Sequence, residues 1–351
     1  MNLPRQTVIP TLVRVKPGAL DRLGEYCRRF SLHRVVVLFS EGLPEDLRKR
    51  LKSSLSESGI ELIMESPVHS QDFDETIRWF RELPSSLDAI LGFGGGKALD
   101  VAKYVAFLSR RPLLAVPTSL SNDGFCSPQS SLSMEGRRTS LAATVPFGVV
   151  IDTHVCLHAP RVLWHSGVGD LVAKFPAVVD WKLAFHATGE LVDDFAALLS
   201  DASVYQFLGR PEFDAEGIRL LGTALLLNGV SMSICGSSRP ASGSEHLISH
   251  ALDQLGGRER LHGLQVGVAS YLVSCLQGQH SDIIGRLLDR TGFWDVVAED
   301  PFSRDQWMEA VRMAPTVKEN FHTILSEKDC LPEVGRLLKE DVRLARCFGS
   351  G

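Results

Sequence analysis

Three imidazoles crowd one stretch of this chain. His246, His250 and His262 fall within a 17-residue window, although the whole sequence has only 11 histidines. On a helix His246 and His250, four positions apart, project to one side. That spacing underlies the H-E-x-x-H zinc helix, but here Glu245 precedes the first histidine and the protease motif is absent. Two imidazoles and one carboxylate would supply the three protein ligands of a catalytic Zn²⁺ and leave one position open for a substrate. Any two of the three histidines satisfy the spacing. Asp170, in Gly167-Val168-Gly169-Asp170, is a candidate for the carboxylate. Its ordinary alternative is a first-turn helix position paired with Lys174. The same donors suit Ni²⁺ or Fe²⁺ as well as Zn²⁺.

A second chemistry-bearing feature is Gly92-Phe93-Gly94-Gly95-Gly96-Lys97-Ala98-Leu99-Asp100. A glycine run between a strand and a helix exposes backbone N–H groups at the positive end of a helix dipole, an arrangement that accepts phosphate. It fits neither common fingerprint. Lys97 stands where G-x-G-x-x-G needs its third glycine, and Ala98 replaces the Ser/Thr of a P-loop. A ligand-free tight turn is the plainer reading. A polar loop from Pro117 to Pro128, containing Thr118, Ser119, Ser121, Asn122, Asp123 and Ser127, follows another apolar run. Ligands of open α/β sheets bind beyond the carboxyl ends of strands, which is where both segments fall.

These features need elements to hold them. Apolar runs at 33–39, 60–64, 89–93 and 113–116 predict buried parallel strands. Leu47, Leu51 and Leu55 predict an intervening helix ended by Gly59; Phe73, Ile77 and Phe80 mark a second, and a third is expected from about Ala98 to Leu108. After Pro160 the pattern is helical to about Arg346, with breaks at Gly209-Arg210-Pro211 and Gly256-Gly257. The expected fold is therefore an α/β N-terminal domain with a parallel sheet carrying the glycine run (1–160), followed by an all-helical domain carrying the candidate metal ligands (161–351).

Composition narrows the function classes. A chain of 351 residues can build about two cores. With 37 Lys+Arg against 42 Asp+Glu the net charge is −5, which favours neither nucleic acid nor anionic lipid as a partner. Seven scattered cysteines without a C-x-x-C pair suit reduced thiols and a cytoplasmic location. Met1–Gln6 lacks the apolar start of an export signal, and no unbroken run of about 18 apolar residues predicts a membrane span.

Taken together, Gly94 to Lys103, Pro117 to Gly124, Gly167 to Lys174, Asp180-Trp181-Lys182-Leu183-Ala184 and Ser238 to Asp253 resemble the sn-glycerol-1-phosphate dehydrogenase family. That family lies within the dehydroquinate synthase-like and iron-containing alcohol dehydrogenase superfamily. The resemblance covers about residues 30 to 275. It implies a nucleotide-binding sheet in the first domain, a metal- and substrate-binding second domain, and reversible NAD(P)H-dependent, Zn-dependent reduction of dihydroxyacetone phosphate to sn-glycerol 1-phosphate. Gly94, Gly95, Gly96, Lys97 and Asp100 would meet the pyrophosphate of NAD(H) or NADP(H), with Thr118, Ser119, Ser121 and Ser127 also lining the cofactor. Asp170, His246 and His262 would bind the metal. Asp123 and His250 would contact the substrate and serve its proton, and Asp170 would also lie against it.

The substrate phosphate needs a local cation, and Arg239 is the expected fork. Glu41, after the first predicted strand, would accept hydrogen bonds from a ribose 2′-hydroxyl and favour NADH. Leu120-Ser121-Asn122 departs from the small residues and histidine usual before the Asp-Gly pair. The competing expectations are a dehydroquinate synthase-like sugar-phosphate cyclase, whose first metal ligand should be Glu rather than Asp170, and a non-catalytic binding protein. The expected partner is a small phosphorylated ketone or alcohol, and self-association into a homo-oligomer stays open.

Overall fold

Alternation along the apolar runs settles the first layer arrangement. In β2 (Arg34–Ser40), Val35, Val37 and Phe39 face one side of a sheet while Val36 and Leu38 face the other, and all five are buried. This two-sided burial is what parallel strands covered by helices require. The computed structural model of the protein describes residues 7–349; Met1–Gln6, read above for an export signal, lie outside the described residues. The chain falls into two compact units that divide after Pro160.

The first unit contains β1 (Leu12–Lys16), α1 (Leu23–Arg29), β2, α2 (Glu45–Glu57), β3 (Glu61–Val68), α3 (Phe73–Glu82), β4 (Ala89–Gly94), α4 (Gly96–Ser109) and β5 (Leu113–Pro117). A hairpin of β6 (Gln129–Met134) and β7 (Arg137–Ala142) follows, then β8 (Gly148–Asp152) and α5 (Thr153–Leu157). Six strands form one sheet in the order β1-β8-β5-β4-β2-β3, every pair parallel. α1 and α2 pack on the face of Val35, Val37 and Phe39, and α4 packs on the face of Val36 and Leu38.

The four predicted strands are all present, but the sheet has six and the hairpin adds two more. β1 carries Arg14 and Lys16 in only five residues at the sheet's edge, so its alternation is faint. β8 is wholly buried but lies against the expected domain boundary. The hairpin strands are rich in Ser, Thr and Arg, and their signal is the turn, where Glu135 and Gly136 both have positive φ. α4 begins at Gly96, two residues before the expected start, because the glycine run itself makes its first turn.

The second unit runs through α6 (Arg161–Val172), α7 (Lys174–Thr188), α8 (Asp194–Leu208), α9 (Ala215–Cys235), α10 (Ser244–Leu255) and α11 (His262–Gln277). It continues with α12 (Ser281–Thr291), α13 (Phe293–Glu299), α14 (Arg304–Met313), α15 (Ile324–Glu327) and α16 (Leu331–Glu340). Among its described residues the only β pairing is an isolated bridge between Phe302 and Phe348. α9, although interrupted by Glu216, Arg219 and Asn228, is long and apolar enough, by length and composition alone, to cross a membrane. Its Ile218, Leu221, Ala224 and Leu225 are instead almost fully buried in the unit, against α8 and α6.

Glycine sets the position of two of these helices. A Cβ on Gly263 of α11 would lie 1.9 Å from the Ser166 carbonyl oxygen of α6, and one on Gly169 of α6 would lie 2.0 Å from the Gly263 carbonyl oxygen. The two backbones touch there because neither residue has a side chain.

Candidate metal and dinucleotide sites

That contact places Asp170, next to Gly169, beside His262, next to Gly263. Asp170 lies in the last turn of α6, where the helix dipole disfavours a carboxylate. Lys174 Nζ, fully buried, compensates at 3.6 Å from Asp170 Oδ2 and also donates to the Ala241 carbonyl. Burial alone would raise the Asp170 carboxyl. The Lys174 charge, with His246 and His262, outweighs that and holds it below its ordinary value. Thus Asp170 does pair with Lys174, but at a helix end and with its other oxygen turned to the imidazoles.

α10 starts where Asp180 Oδ2 accepts from the Ser244 N–H (2.7 Å) and Glu245 Oε1 from the Gly243 N–H (2.6 Å). Both carboxylates sit at the positive end of the helix. Asp180 also accepts from Gln277 Nε2 and the Ile324 N–H, and burial with the nearby Glu245 charge raises its carboxyl to about 6. One residue on, His246 Nδ1 meets Glu245 Oε1 at 2.8 Å, and its Nε2 lies 3.6 Å from Asp170 Oδ1. Burial lowers His246, but the carboxylates of Asp170 and Glu245 prevail and raise it to about 9. His262 Nε2 lies 3.8 Å from the same Asp170 oxygen.

One ligand atom from each of Asp170, His246 and His262 falls within 4.8 Å of the others. Ligand bonds of 2.0–2.2 Å at tetrahedral angles put donor atoms about 3.4 Å apart, so a small contraction would seat a divalent cation. Two imidazoles and a carboxylate already ionised are a fitting donor set. His250 is outside this trio: its ring centroid is 6.4 Å from that of His246 and 6.1 Å from that of His262.

In the first unit, β4 lies between β2 and β5, and the chain reverses direction across the sheet between β2 and β4. Their carboxyl ends are Ser40 and Gly94, so the glycine run occupies the switch point where such sheets bind ligands. Gly94 has φ +136°, and a Cβ there would be 2.3 Å from Ser40 Oγ. Ser40 Oγ accepts from the Gly95 N–H at 2.9 Å, which turns the chain into α4. The first turn of α4 carries no acidic residue and Lys97 is exposed. Gly94 is paired with Pro117 of β5, so the loop carrying Thr118, Ser119 and Ser121 starts beside it.

A model of the iron-containing alcohol dehydrogenase family matches residues 14–160. The glycerol-1-phosphate dehydrogenase [NAD(P)+] of Metallosphaera sedula is 35% identical over 328 residues, which are 91% of this chain and 92% of that protein. The enzyme of the same name from Aeropyrum pernix is 35% identical over 340 residues, 94% and 96% of the two chains. The chain belongs to the glycerol-1-phosphate dehydrogenase family. Among solved structures, glycerol dehydrogenase from Schizosaccharomyces pombe superposes with a TM-score of 0.76 at 18% identity, covering 98% of this chain and 91% of that one. An iron-containing alcohol dehydrogenase gives 0.71 at 16%, covering 97% and 99%. These likenesses show a shared fold.

Within this member of the glycerol-1-phosphate dehydrogenase family, several expected contacts point elsewhere. Arg239 is 1% exposed: its Nε donates to Glu190 Oε1 (2.8 Å), Nη2 to Glu190 Oε2 and Nη1 to the His322 carbonyl (2.8 Å), and its guanidinium lies 3.7 Å over the Phe321 ring. The fork expected to hold a phosphate is already filled by a carboxylate. Asp100 is buried too, with Oδ1 at 3.2 Å from Lys103 Nζ and Oδ2 facing Gln71. Ser127 Oγ turns inward to the Gly124 and Gln129 carbonyls.

Both surround Lys103, which sequence reasoning passed over. Its fully buried ammonium donates to the carbonyls of Gly124 and Gln129 as well as to Asp100. It thereby fixes both ends of the segment beginning at the single helical turn Asp123–Phe125. A lysine three residues after an aspartate on an otherwise apolar helix face was the available signal. Glu41, exposed, pairs with His69 at 3.0 Å just beyond the end of β2.

Proposed function

We propose that the chain is an NAD(P)-dependent glycerol-1-phosphate dehydrogenase that reversibly reduces dihydroxyacetone phosphate to sn-glycerol 1-phosphate. The observation that carries this reading is the trio of Asp170 and His246, both buried, with the half-buried His262, in a chain that aligns with enzymes of that name over nearly its whole length. The trio would hold a divalent cation, Zn²⁺ in the first instance, which when bound supplies Lewis-acid polarisation of a carbonyl oxygen. A bound nicotinamide supplies or accepts the hydride.

The chain's own groups do the rest. The backbone N–H groups of Gly96 and Lys97, which open α4, and the α4 dipole receive the pyrophosphate, with the Lys97 side chain beside them, while Gly94 and Gly95 shape the turn against Ser40. Thr118, Ser119 and Ser121 line the path of the dinucleotide from the end of β5. Asp100 and Ser127 act on this cofactor through the shape of the loop they share with Lys103, and Glu41 faces the adenosine ribose and favours NADH. Asp123 orients a substrate hydroxyl. His250, one helical turn from His246, holds the proton that the C2 oxygen gains in reduction and takes it back in oxidation. All seven cysteines are free thiols, which supports a reducing cytoplasm as its location.

The test follows NADH and NADPH absorbance with dihydroxyacetone phosphate, with and without chelator, and then the configuration of the product. Turnover that is abolished by chelation and restored by Zn²⁺, giving the sn-1 product, is expected. No oxidation of either cofactor by metal-loaded protein would refute the reading. Release of inorganic phosphate from a sugar phosphate without net cofactor oxidation would replace it with the cyclase.

A further inference from the structure

The trio's imidazoles can bind a cation only through an unprotonated nitrogen, and the groups behind them decide which nitrogen that is. Behind His262, Nδ1 lies 3.1 Å from Ser249 Oγ. Ser249 has one hydroxyl proton, and it is donated to Gln265 Oε1 at 2.8 Å. With that proton committed, the hydroxyl meets His262 only as an acceptor, so the proton between them belongs to Nδ1. Behind His246, Glu245 Oε1 accepts at 2.8 Å, and a carboxylate can only accept. The supporting groups are nearly inaccessible: Glu245 and Ser249 are 0% exposed and Gln265 5%. Ser249 shares α10 with His246, while Gln265 shares a face of α11 with His262 at i and i+3, so the Ser249–Gln265 bond also joins the two ligand-bearing helices.

We propose that Glu245 and the Ser249–Gln265 pair are positioning residues that keep the proton of His246 and of His262 on Nδ1, directing both Nε2 lone pairs toward Asp170 Oδ1. The proposal rests on reading the trio as a metal site. Loss of such an outer partner typically weakens a metal site by about 10–100-fold. Without the Gln265 acceptor, the Ser249 hydroxyl can donate to Nδ1. The His262 proton then moves to Nε2, where it faces the cation.

The experiment compares wild type with Gln265→Leu, Gln265→Glu and Glu245→Gln. Zn²⁺ dissociation constants come from competition with a chromophoric chelator. The His246 and His262 tautomers come from ¹⁵N chemical shifts of histidine-labelled, metal-free protein followed up to about pH 10.5, above both the ordinary imidazole range and the raised His246. Gln265→Leu should shift His262 toward the Nε2–H form and weaken Zn²⁺ binding by about 10–100-fold. Gln265→Glu and Glu245→Gln keep an acceptor, so both should retain Nδ1–H, and Gln265→Glu should bind Zn²⁺ at least as tightly as wild type. Thermal melting of the metal-free forms verifies folding. The proposal is overturned if Gln265→Leu keeps wild-type affinity and the Nδ1–H form, or if Gln265→Glu loses as much affinity as Gln265→Leu. A wild-type protein that binds no Zn²⁺, and is unchanged in this by His246→Ala, would instead refute the metal reading while the tautomer measurement still stands.

Discussion

The two units gather their polar groups in opposite ways. In the first, the working surface is main chain: the glycine run and the Ser40–Gly95 contact at strand ends, and carbonyls held by Lys103 in the segment after β5. In the second, it is side chain: a carboxylate and imidazoles on helices whose backbones are already satisfied, each supported by another buried side chain. A site of the first kind should tolerate replacement of nearby side chains but not the addition of a Cβ. One of the second kind should fail when a single ligand is trimmed.

The largest effect should come from Asp170→Ala, which removes a ligand and leaves Lys174 buried without its carboxylate. Metal content by elemental analysis should fall to background and turnover by at least about 10³-fold, with about 3–5 kcal/mol of stability lost by denaturant melts. Retained stoichiometric metal would break the side-chain half of the comparison. Gly94→Ala comes next. Its positive φ and the collision with Ser40 Oγ should weaken dinucleotide binding, read by nicotinamide fluorescence titration, by about 10–100-fold, or about 1.4–2.7 kcal/mol of strain. The metal content of this variant should stay as in wild type, and loss of metal would show that the two designs are not independent.

Lys103→Met keeps the length of the side chain and deletes its donors. Because Lys103 acts through the loop, KM for the ketone should rise about tenfold with a smaller change in kcat, in steady-state assays of metal-loaded protein. A change confined to thermal stability would mean the lysine is only packing.

The smallest predicted effect concerns a carboxylate of the helical unit that lacks the support given to Asp170. Burial raises Asp201 to about 6, opposed only by the charge of Lys182. Its folded pKa exceeds the unfolded value, so the native state binds the proton more tightly and stability falls as pH rises from about 4 to about 6. Asp201→Asn should therefore stabilise the protein at pH 7 by about 1 kcal/mol, after allowance for solvent screening, and have no effect near pH 4. Equal melting temperatures at both pH values would contradict the assignment.

The same contrast explains what could be read from the sequence. β2, β4 and β5 announce themselves because burial on both faces demands unbroken apolar runs, and the glycine run is visible because only glycine fits there. The imidazole cluster stands out for rarity of residue type. Its support was not legible: Ser249 and Gln265 are common residues whose meaning lies in a hydrogen bond across two helices. Arg239 misled for a related reason, since a guanidinium fork fits a carboxylate as well as a phosphate, and Glu190 lies far from it in the chain. The edge strand β1 and the hairpin were hidden by polar faces that answer to solvent rather than to the core.

The bare contact between Gly169 and Gly263 also governs how this protein should come apart. Two main chains distant in sequence are pressed together there, so any side chain introduced at either glycine would wedge α6 and α11 apart. Amide hydrogens of Ser166 to Asp170 and of Gln265 to Gly267 should then be among the slowest to exchange.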